Sequence, residues 1–299
     1  METSVIIPTF KRTGDLRRCL IGLERQMIRP DEVIVVVRDT DIETKNFIKG
    51  FSSSLTIKTV FVTMPGQVAA LNKGLQSALG EYLCILDDDT IPHTDWLKRI
   101  IEIFKQSIEV GGVGGRDWVY HGTTREEGEK DVVGKVLWYG KVVGNHHLGY
   151  GNPRDVEVLK GANMSYRSEA IKGLKFDERL LGNGAQVHND LAFSLSVKKK
   201  GWRLIYDPSV SVNHYPADRF DSDQRNIFNK DAYYFSVYNE TLILKEFFDT
   251  RIRKITFILW SLIIGTSEKP GLLQVIRLAS KNKNVFQKYL INIKTRLTL

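Results

Sequence analysis

The first hundred residues alternate short apolar runs with segments of helical period. SVII at 4–7, VIVVV at 33–37, IKTVFV at 57–62 and YLCIL at 82–86 read as strands, and their continuous Val/Ile character suits burial on both faces. Between the first two runs, Leu16, Cys19, Leu20 and Leu23 recur at three- and four-residue spacing and predict a helix over 15–26. A second helix is expected over 67–79, stopped by Gly80 in the place of a helix-ending glycine. A third follows Thr94, which can cap it, with Trp96, Leu97, Ile100, Ile101 and Phe104 on one face. Strands joined by helices predict an α/β fold with a mostly parallel sheet covered on both faces. Ligands of such sheets bind beyond the carboxyl ends of the strands.

Past residue 110 the pattern loosens. GGVGGRDW and GKVVGNHHLGYGNP, within 111–155, are rich in glycine and histidine and read as loops or irregular strands that shape a site. Order returns over 158–167, in a helix at 190–200 ended by Gly201, and in a short strand pair at 203–206 and 209–213. A polar-aromatic helical region is expected over 223–248. No tandem repeat or low-complexity linker interrupts the chain. The expected division is a working domain over 1–220 and a helical extension over 221–299.

The tail changes the picture. ITFILWSLII at 255–264 holds ten uncharged residues, preceded by Arg251, Arg253 and Lys254. As a helix it spans about 15 Å, half of a ~30 Å bilayer core, and is too short to cross. Leu272, Val275, Ile276 and Ala279 form one further apolar face, and Val285, Phe286, Tyr289, Leu290 and Ile293 another. Such basic amphipathic segments suit a membrane surface; the alternative is helices packed on the working domain or on a second copy. Charge agrees with an appendage. The chain carries +8, and residues 241–299 alone hold eleven Lys/Arg against three Asp/Glu, so the first 240 residues are formally neutral. A nucleic-acid footprint would run across a domain face instead, so no nucleic-acid partner is expected. METSVIIPTF lacks a secretory n-region and apolar core, and Cys19 and Cys84 are the only cysteines; a cytoplasmic location, peripheral on the inner face of the membrane, is expected.

The fourth run ends in Asp87-Asp88-Asp89. Two carboxylates ~4 Å apart repel by about 4 kcal/mol at a near-surface dielectric. A polar turn accommodates one aspartate; three at a strand end are better explained by a hard divalent cation, Mg²⁺ or Mn²⁺, shared with a phosphate-bearing substrate. Alternate residues of an extended chain point the same way, so Asp87 and Asp89 can both address that site. No GxxxxGK[ST] and no GxGxxG after the first strand is present, and GGVGG at 111–115 lacks the strand–turn–helix setting of a phosphate loop.

SVIIPTFKR, VIVVV followed by Arg38-Asp39, and PGQVAALNKGLQSALGEYLCILDDD resemble the nucleotide-sugar-binding half of family 2 glycosyltransferases of the GT-A fold. LKGANMSYRSEAI, LKFDERLLG and HNDLAFSLSVKKKGWRLIYDPSVSVNH continue the likeness to about residue 216. The resemblance implies a metal-dependent transfer from a nucleoside-diphosphate sugar. It implies that Pro8, Thr9, Asp39 and Asn72 line the nucleotide site and that Asp87 lies at the ribose or diphosphate. Asp88 occupies the variable middle position of the motif. Asp89 is implied as principal metal ligand, His214 as a second, and Asp190 as the general base. Asn189 can serve as N-cap of the helix at 190–200, leaving Asp190 in its first turn, where helix-dipole complementation is its plainer role; for His214 the plainer role is structural. Trp118 and Trp202 are expected in packing rather than on a sugar.

Three positions depart from the family pattern: Arg38 replaces the first acid of an Asp-Asp pair, Leu71 a common arginine, and Asn189 a glutamate. The expected reaction is inverting transfer to a hydroxyl of a glycan or lipid-linked acceptor. Its rivals are a sugar-phosphate nucleotidyltransferase, which calls for a Gly-rich basic loop that PTFKR lacks, and a non-catalytic membrane-surface module, which leaves Asp89 and Asp190 without a purpose.

Overall fold

The four apolar runs fold as the parallel half of one sheet. The computed structural model describes residues 1–220, 223–224 and 227–299. Its first half runs β1 (Thr3–Thr9), α1 (Thr13–Glu24), β2 (Glu32–Arg38), α2 (Ile42–Gly50), β3 (Ile57–Val62), α3 (Gln67–Ser77), β4 (Tyr82–Leu86), β5 (Thr90–Pro92) and α4 (Trp96–Gln106). There follow β6 (Val110–His121), β7 (Thr124–Arg125), β8 (Lys135–Val136), β9 (Val142–Val143), β10 (Arg154–Val156), β11 (Asn163–Arg167) and α5 (Ser168–Ile171). The chain closes with α6 (Asn189–Lys199), β12 (Arg203–His214), α7 (Lys230–Phe247), α8 (Arg251–Ile263), α9 (Leu272–Leu278) and α10 (Val285–Thr298).

The strand order is β10-β12-β6-β11-β4-β1-β2-β3. Strands β3, β2, β1 and β4 are parallel, and β11 runs antiparallel to both β4 and β6. The order reverses between β1 and β4, so Thr9 and Asp87 flank the crevice where such sheets bind ligands. Successive strand residues face opposite layers: Val5 and Ile7 pack with Leu16, Leu20, Trp96 and Phe104 on one side, and Ile6 packs with Val68, Leu71 and Phe193 on the other. A third apolar cluster joins Leu191 and Leu195 of α6 to Ile243, Phe248 and Phe257 of the C-terminal helices.

Of the two forms expected for the glycine-rich segment, loop or irregular strand, its first part takes the second. Val110–His121 is a twelve-residue strand in the middle of the sheet, buried along most of its length. Its glycines reflect close approach: a Cβ on Gly112 would lie 2.6 Å from Leu204 Cδ2, and one on Gly115 would lie 1.7 Å from the Val210 carbonyl oxygen. Side chains that are absent cannot show period two, which is why the pattern left loop and strand undecided. The expected pair at 203–206 and 209–213 is one strand, β12, whose pairing shifts between Asp207 and Val212. Asp207 accepts hydrogen bonds from the backbone and hydroxyl of Ser209 there, a local turn within the strand.

Three capping expectations also change. Helix α3 ends at Ser77, and Gly80 instead abuts β1, where its N–H donates to Ser4 Oγ at 2.8 Å. Helix α4 starts after Asp95 with no side-chain cap, so Thr94 has no such role. Asn189 is the first residue of α6, not its cap; His188 precedes it with φ +74°. Of the helix expected over 223–248, residues 225 and 226 lie outside those described, and α7 begins at Lys230 behind Asn229, whose side chain accepts from Asp231 and Ala232 N–H.

In the tail, polar as well as apolar side chains turn inward. Helix α10 buries Asn292, Thr295 and Arg296 and leaves Phe286, Leu290 and Leu297 outside. Helix α8 buries Phe257 and Ser261 while Ile252, Ile255, Leu259 and Ile263 form an exposed stripe. Among the described residues no helix is long and apolar enough to cross a membrane.

Candidate active site

The crevice between β1 and β4 opens into a cleft lined by Pro8 and Thr9, by all three aspartates, by Arg12 and Arg38, and by residues 183–185, Arg219 and Phe220. A turn sets the aspartates: the Asp87 carbonyl accepts from both the N–H and the hydroxyl of Thr90 and ends β4. The three then diverge. Asp87 Oδ1 accepts from Gln67 Nε2 at 3.2 Å. Asp88 is buried against Arg12 Nη1 at 3.0 Å, and Arg12 Nη2 donates to the Asp218 carbonyl at 2.7 Å. Burial pushes the Asp88 carboxyl up to about 7, with Arg12 opposing and Asp89 adding to the rise.

Asp89 is also buried, with Oδ2 accepting from Ala217 N–H at 2.9 Å and Oδ1 facing His214 Nε2 at 3.3 Å. Burial alone would raise its pKa, but His214 and the Ala217 amide hold it at about 2. The other ring nitrogen, His214 Nδ1, faces Asp117 Oδ2 at 3.3 Å, and Asp117 forms a further ion pair with Lys160. Burial disfavours the charged imidazole, yet Asp117 and Asp89 lift it to about 9. Asp117, on β6, stays below the usual carboxylate range because Lys160 and His214 outweigh its burial. Sequence reasoning missed it. The only available signal was an acid in an otherwise glycine-rich run.

Asp190 sits in the first turn of α6, where Oδ1 accepts from Leu191 N–H at 2.8 Å and Oδ2 from Gly161 N–H at 3.1 Å. The turn at 160–161 therefore touches both acids, Lys160 on Asp117 and Gly161 on Asp190. Gln67 bridges the other side, bonding Asp87 through Nε2 and receiving Asn189 Nδ2 at Oε1, 3.3 Å. The aspartate turn, His214 and the start of α6 are thus joined in one bonded network.

Two sequence assignments do not reach the cleft. Asn72 spends its amide on the backbone of Phe176, donating to its carbonyl at 3.0 Å and accepting its N–H at 2.8 Å. Its expected place at the nucleotide is therefore corrected to a pin between α3 and the chain before α6. Asp39 is paired with Arg38 at 3.2 Å, and Arg38 rather than Asp39 lines the cleft. Trp202 packs against the core as expected, and Trp118 is stacked with the guanidinium groups of Arg116 and Arg125.

The donor set suits a hard cation held partly by substrate: a carboxylate and an imidazole nitrogen converge at Asp89 and His214. Among the described residues no group of three or more His, Cys, Asp or Glu forms a closed metal cage. Open positions are what a cation shared with phosphates requires.

The family model for glycosyl transferase family 2 matches residues 4–172. The chain belongs to glycosyl transferase family 2, a family of sugar-transferring enzymes, and its mixed sheet flanked by helices is the GT-A fold. A Methanococcus voltae dolichyl N-acetyl-α-D-glucosaminyl phosphate 3-β-D-2,3-diacetamido-2,3-dideoxy-β-D-glucuronosyltransferase is 24% identical over 222 residues, 71% of this chain and 66% of that protein. The Haloferax volcanii glycosyltransferase AglE is 31% identical over 100 residues, 32% of this chain and 33% of its own. The chain thus spans between a third and just under two thirds of these relatives. The mannosyltransferase PcManGT of Pyrobaculum calidifontis, solved with GDP-Man and Mn²⁺, superposes with a TM-score of 0.57 at 15% identity, covering 99% of this chain and 84% of that one.

Proposed function

We propose that this protein is a metal-dependent, inverting glycosyltransferase that moves a sugar from a nucleoside diphosphate to a hydroxyl of a glycan or lipid-linked acceptor. One observation carries the proposal: Asp87 and Asp89 lie at the carboxyl end of β4, Asp89 faces His214, and a bonded path leads from both to Asp190. Pro8 and Thr9 would contact the nucleotide, with Arg38 at the base, held by its ion pair with Asp39, and Asp87 at the ribose or diphosphate. Asp88 supports them from beneath through Arg12. Asp89 and His214 would hold Mn²⁺ or Mg²⁺, which offsets charge on the leaving diphosphate. Arg12, Arg38 and Arg219 add positive charge to the cleft wall.

Asp190 accepts the acceptor hydroxyl's proton. Its two oxygens each receive one backbone N–H, which orients the carboxylate and leaves further lone pairs for the hydroxyl. A single displacement assisted by one base inverts the anomeric centre. The assigned division is a catalytic domain over 1–220 and a helical extension over 221–299. The extension would hold the enzyme peripherally on the cytoplasmic face of a membrane through Ile252, Ile255, Leu259 and Ile263, with Arg251 and Lys254 on the same helix. The M. voltae relative, named for a dolichyl-linked substrate, supports a lipid-linked acceptor.

Purified protein incubated with Mn²⁺ and a panel of UDP- and GDP-sugars should release nucleoside diphosphate in the presence of an acceptor lipid extract. Asp190→Asn should lower turnover by about 10²–10⁴ while donor binding by calorimetry persists. Turnover within threefold of the parent would sink the base assignment, and a metal-independent reaction would sink the cation.

A further inference from the structure

The loop that delivers Asp190 is fastened from an unexpected direction. His188, immediately before Asn189 and Asp190, adopts φ +74°, a left-handed conformation that costs a non-glycine residue energy and persists only where its surroundings hold it. The holding group is Lys269, in the turn between α8 and α9. That turn is closed by Thr266 N–H on the Lys269 carbonyl and by Lys269 N–H on Thr266 Oγ1, both at 2.9 Å. Its ammonium points inward. The three donors meet three acceptors: His188 Nε2 at 2.8 Å, Glu240 Oε1 at 3.0 Å and the Ser236 carbonyl at 3.3 Å. Because an ammonium only donates, His188 accepts through Nε2, which sets its tautomer.

Each partner is itself anchored. Glu240 also pairs with Arg296, which reaches inward from α10 and donates to Thr241 Oγ1 at 3.0 Å. Immediately before Glu240 on α7, Asn239 grips both ends of the same loop, donating to the carbonyls of Leu181 and Val187 and accepting Leu181 N–H. The loop in turn feeds α3, with Gly184 O and Gln186 Oε1 accepting the N–H groups of Gln67 and Val68. Three C-terminal elements thus converge on one catalytic turn.

We propose that Lys269 is a positioning residue for glycosyl transfer: from the C-terminal helices it holds His188 in its left-handed turn and so places Asp190. The proposal rests on Asp190 being the base. It makes the tail a structural part of the active site as well as a candidate membrane contact.

The test compares parent, Lys269→Met and Asp190→Asn in the full chain. In Lys269→Met, amide hydrogen exchange over 181–192 should accelerate at least tenfold while β1, β2 and β4 stay within twofold. Turnover of whichever UDP- or GDP-sugar the parent uses should fall at least tenfold. A purely structural role would loosen the sheet as well. Should Lys269→Met fail to fold, His188→Asn removes the same contact and keeps a residue that tolerates the left-handed region. Exchange over 181–192 within twofold of the parent in a folded variant overturns the proposal, and so does faster exchange with unchanged turnover. Retained turnover in Asp190→Asn defeats the base assignment instead, and the exchange data tell the two failures apart.

Discussion

Asp117→Asn isolates the part of the site that no sequence motif announced. The carboxylate is fully buried and faces two donors, Lys160 Nζ and His214 Nδ1. Both meet the same oxygen, Oδ2, so an asparagine can keep an acceptor there but removes the negative charge that both the ammonium and the imidazole face. Lys160, with its side chain 32% exposed, can turn to solvent; His214, at 8%, cannot. Breaking a buried pair costs about 3–5 kcal/mol, and the escape open to Lys160 brings the expected loss to about 2–3 kcal/mol. The larger consequence falls on the ring. Without a carboxylate charge at Nδ1 to hold the proton there, the imidazole is freer to carry its proton on Nε2, toward Asp89, where a cation needs the lone pair. Removing such a partner typically weakens metal binding 10–100-fold, or ~1.4–2.7 kcal/mol. Calorimetric titration of Mn²⁺ in the presence of UDP or GDP measures this directly, with circular dichroism to verify the fold. A Mn²⁺ affinity within twofold of the parent, in a folded variant, would refute the coupling of Asp117 to the cation through His214.

Other outcomes follow from the same contacts. Gly115→Ala forces a methyl to 1.7 Å from the Val210 carbonyl oxygen, backbone that cannot swing away, and should cost at least the ~3 kcal/mol upper end of overpacking; an unchanged melting temperature would contradict the close approach. His188 has its pKa depressed to about 3 by burial and then by Lys269, below an ordinary value of 6.5, so the unfolded chain binds more protons between those values. Stability held above pH 6.5 is therefore lost as pH falls toward 3, by up to about 2 kcal/mol at pH 5, and His188→Asn should flatten that part of a melting-temperature profile. Ile255→Asp with Leu259→Asp, both on exposed positions of α8, should abolish co-sedimentation with anionic liposomes and leave turnover of a soluble acceptor intact; persistent co-sedimentation would remove the membrane contact from α8.

The parallel half of the fold was legible residue by residue. Continuous Val/Ile runs and three-to-four spacing arise from local burial, and β3 and β4 match the expected bounds while α3 ends two residues early. The crowded charge of the aspartate triplet was legible for the same reason, since repulsion between neighbours in sequence needs no fold to exist. Its unequal members were not. That Asp88 lies buried under Arg12 depends on a partner 76 residues away, and that Asp89 meets His214 depends on β12 crossing beside β6.

Beyond residue 110 the determinants are approach distances and long-range pairs, which leave no period in the chain. Val110–His121 is glycine-rich because β12 and β11 press against it, so the sequence left it open between loop and irregular strand. Asn72 carried a family-like position, yet its amide is consumed by Phe176, 104 residues on. The basic tail was legible as amphipathic, but which face turns inward depends on long-range partners: Arg296 of α10 meets Glu240, and Phe257 of α8 packs with Leu244 and Phe248, which leaves the aliphatic stripe of α8 outside. Local sequence determined the sheet and the acids at its edge. Tertiary structure determined which of those acids faces a histidine, and what holds the turn before Asp190 in place, because both depend on charges brought together from distant parts of the chain.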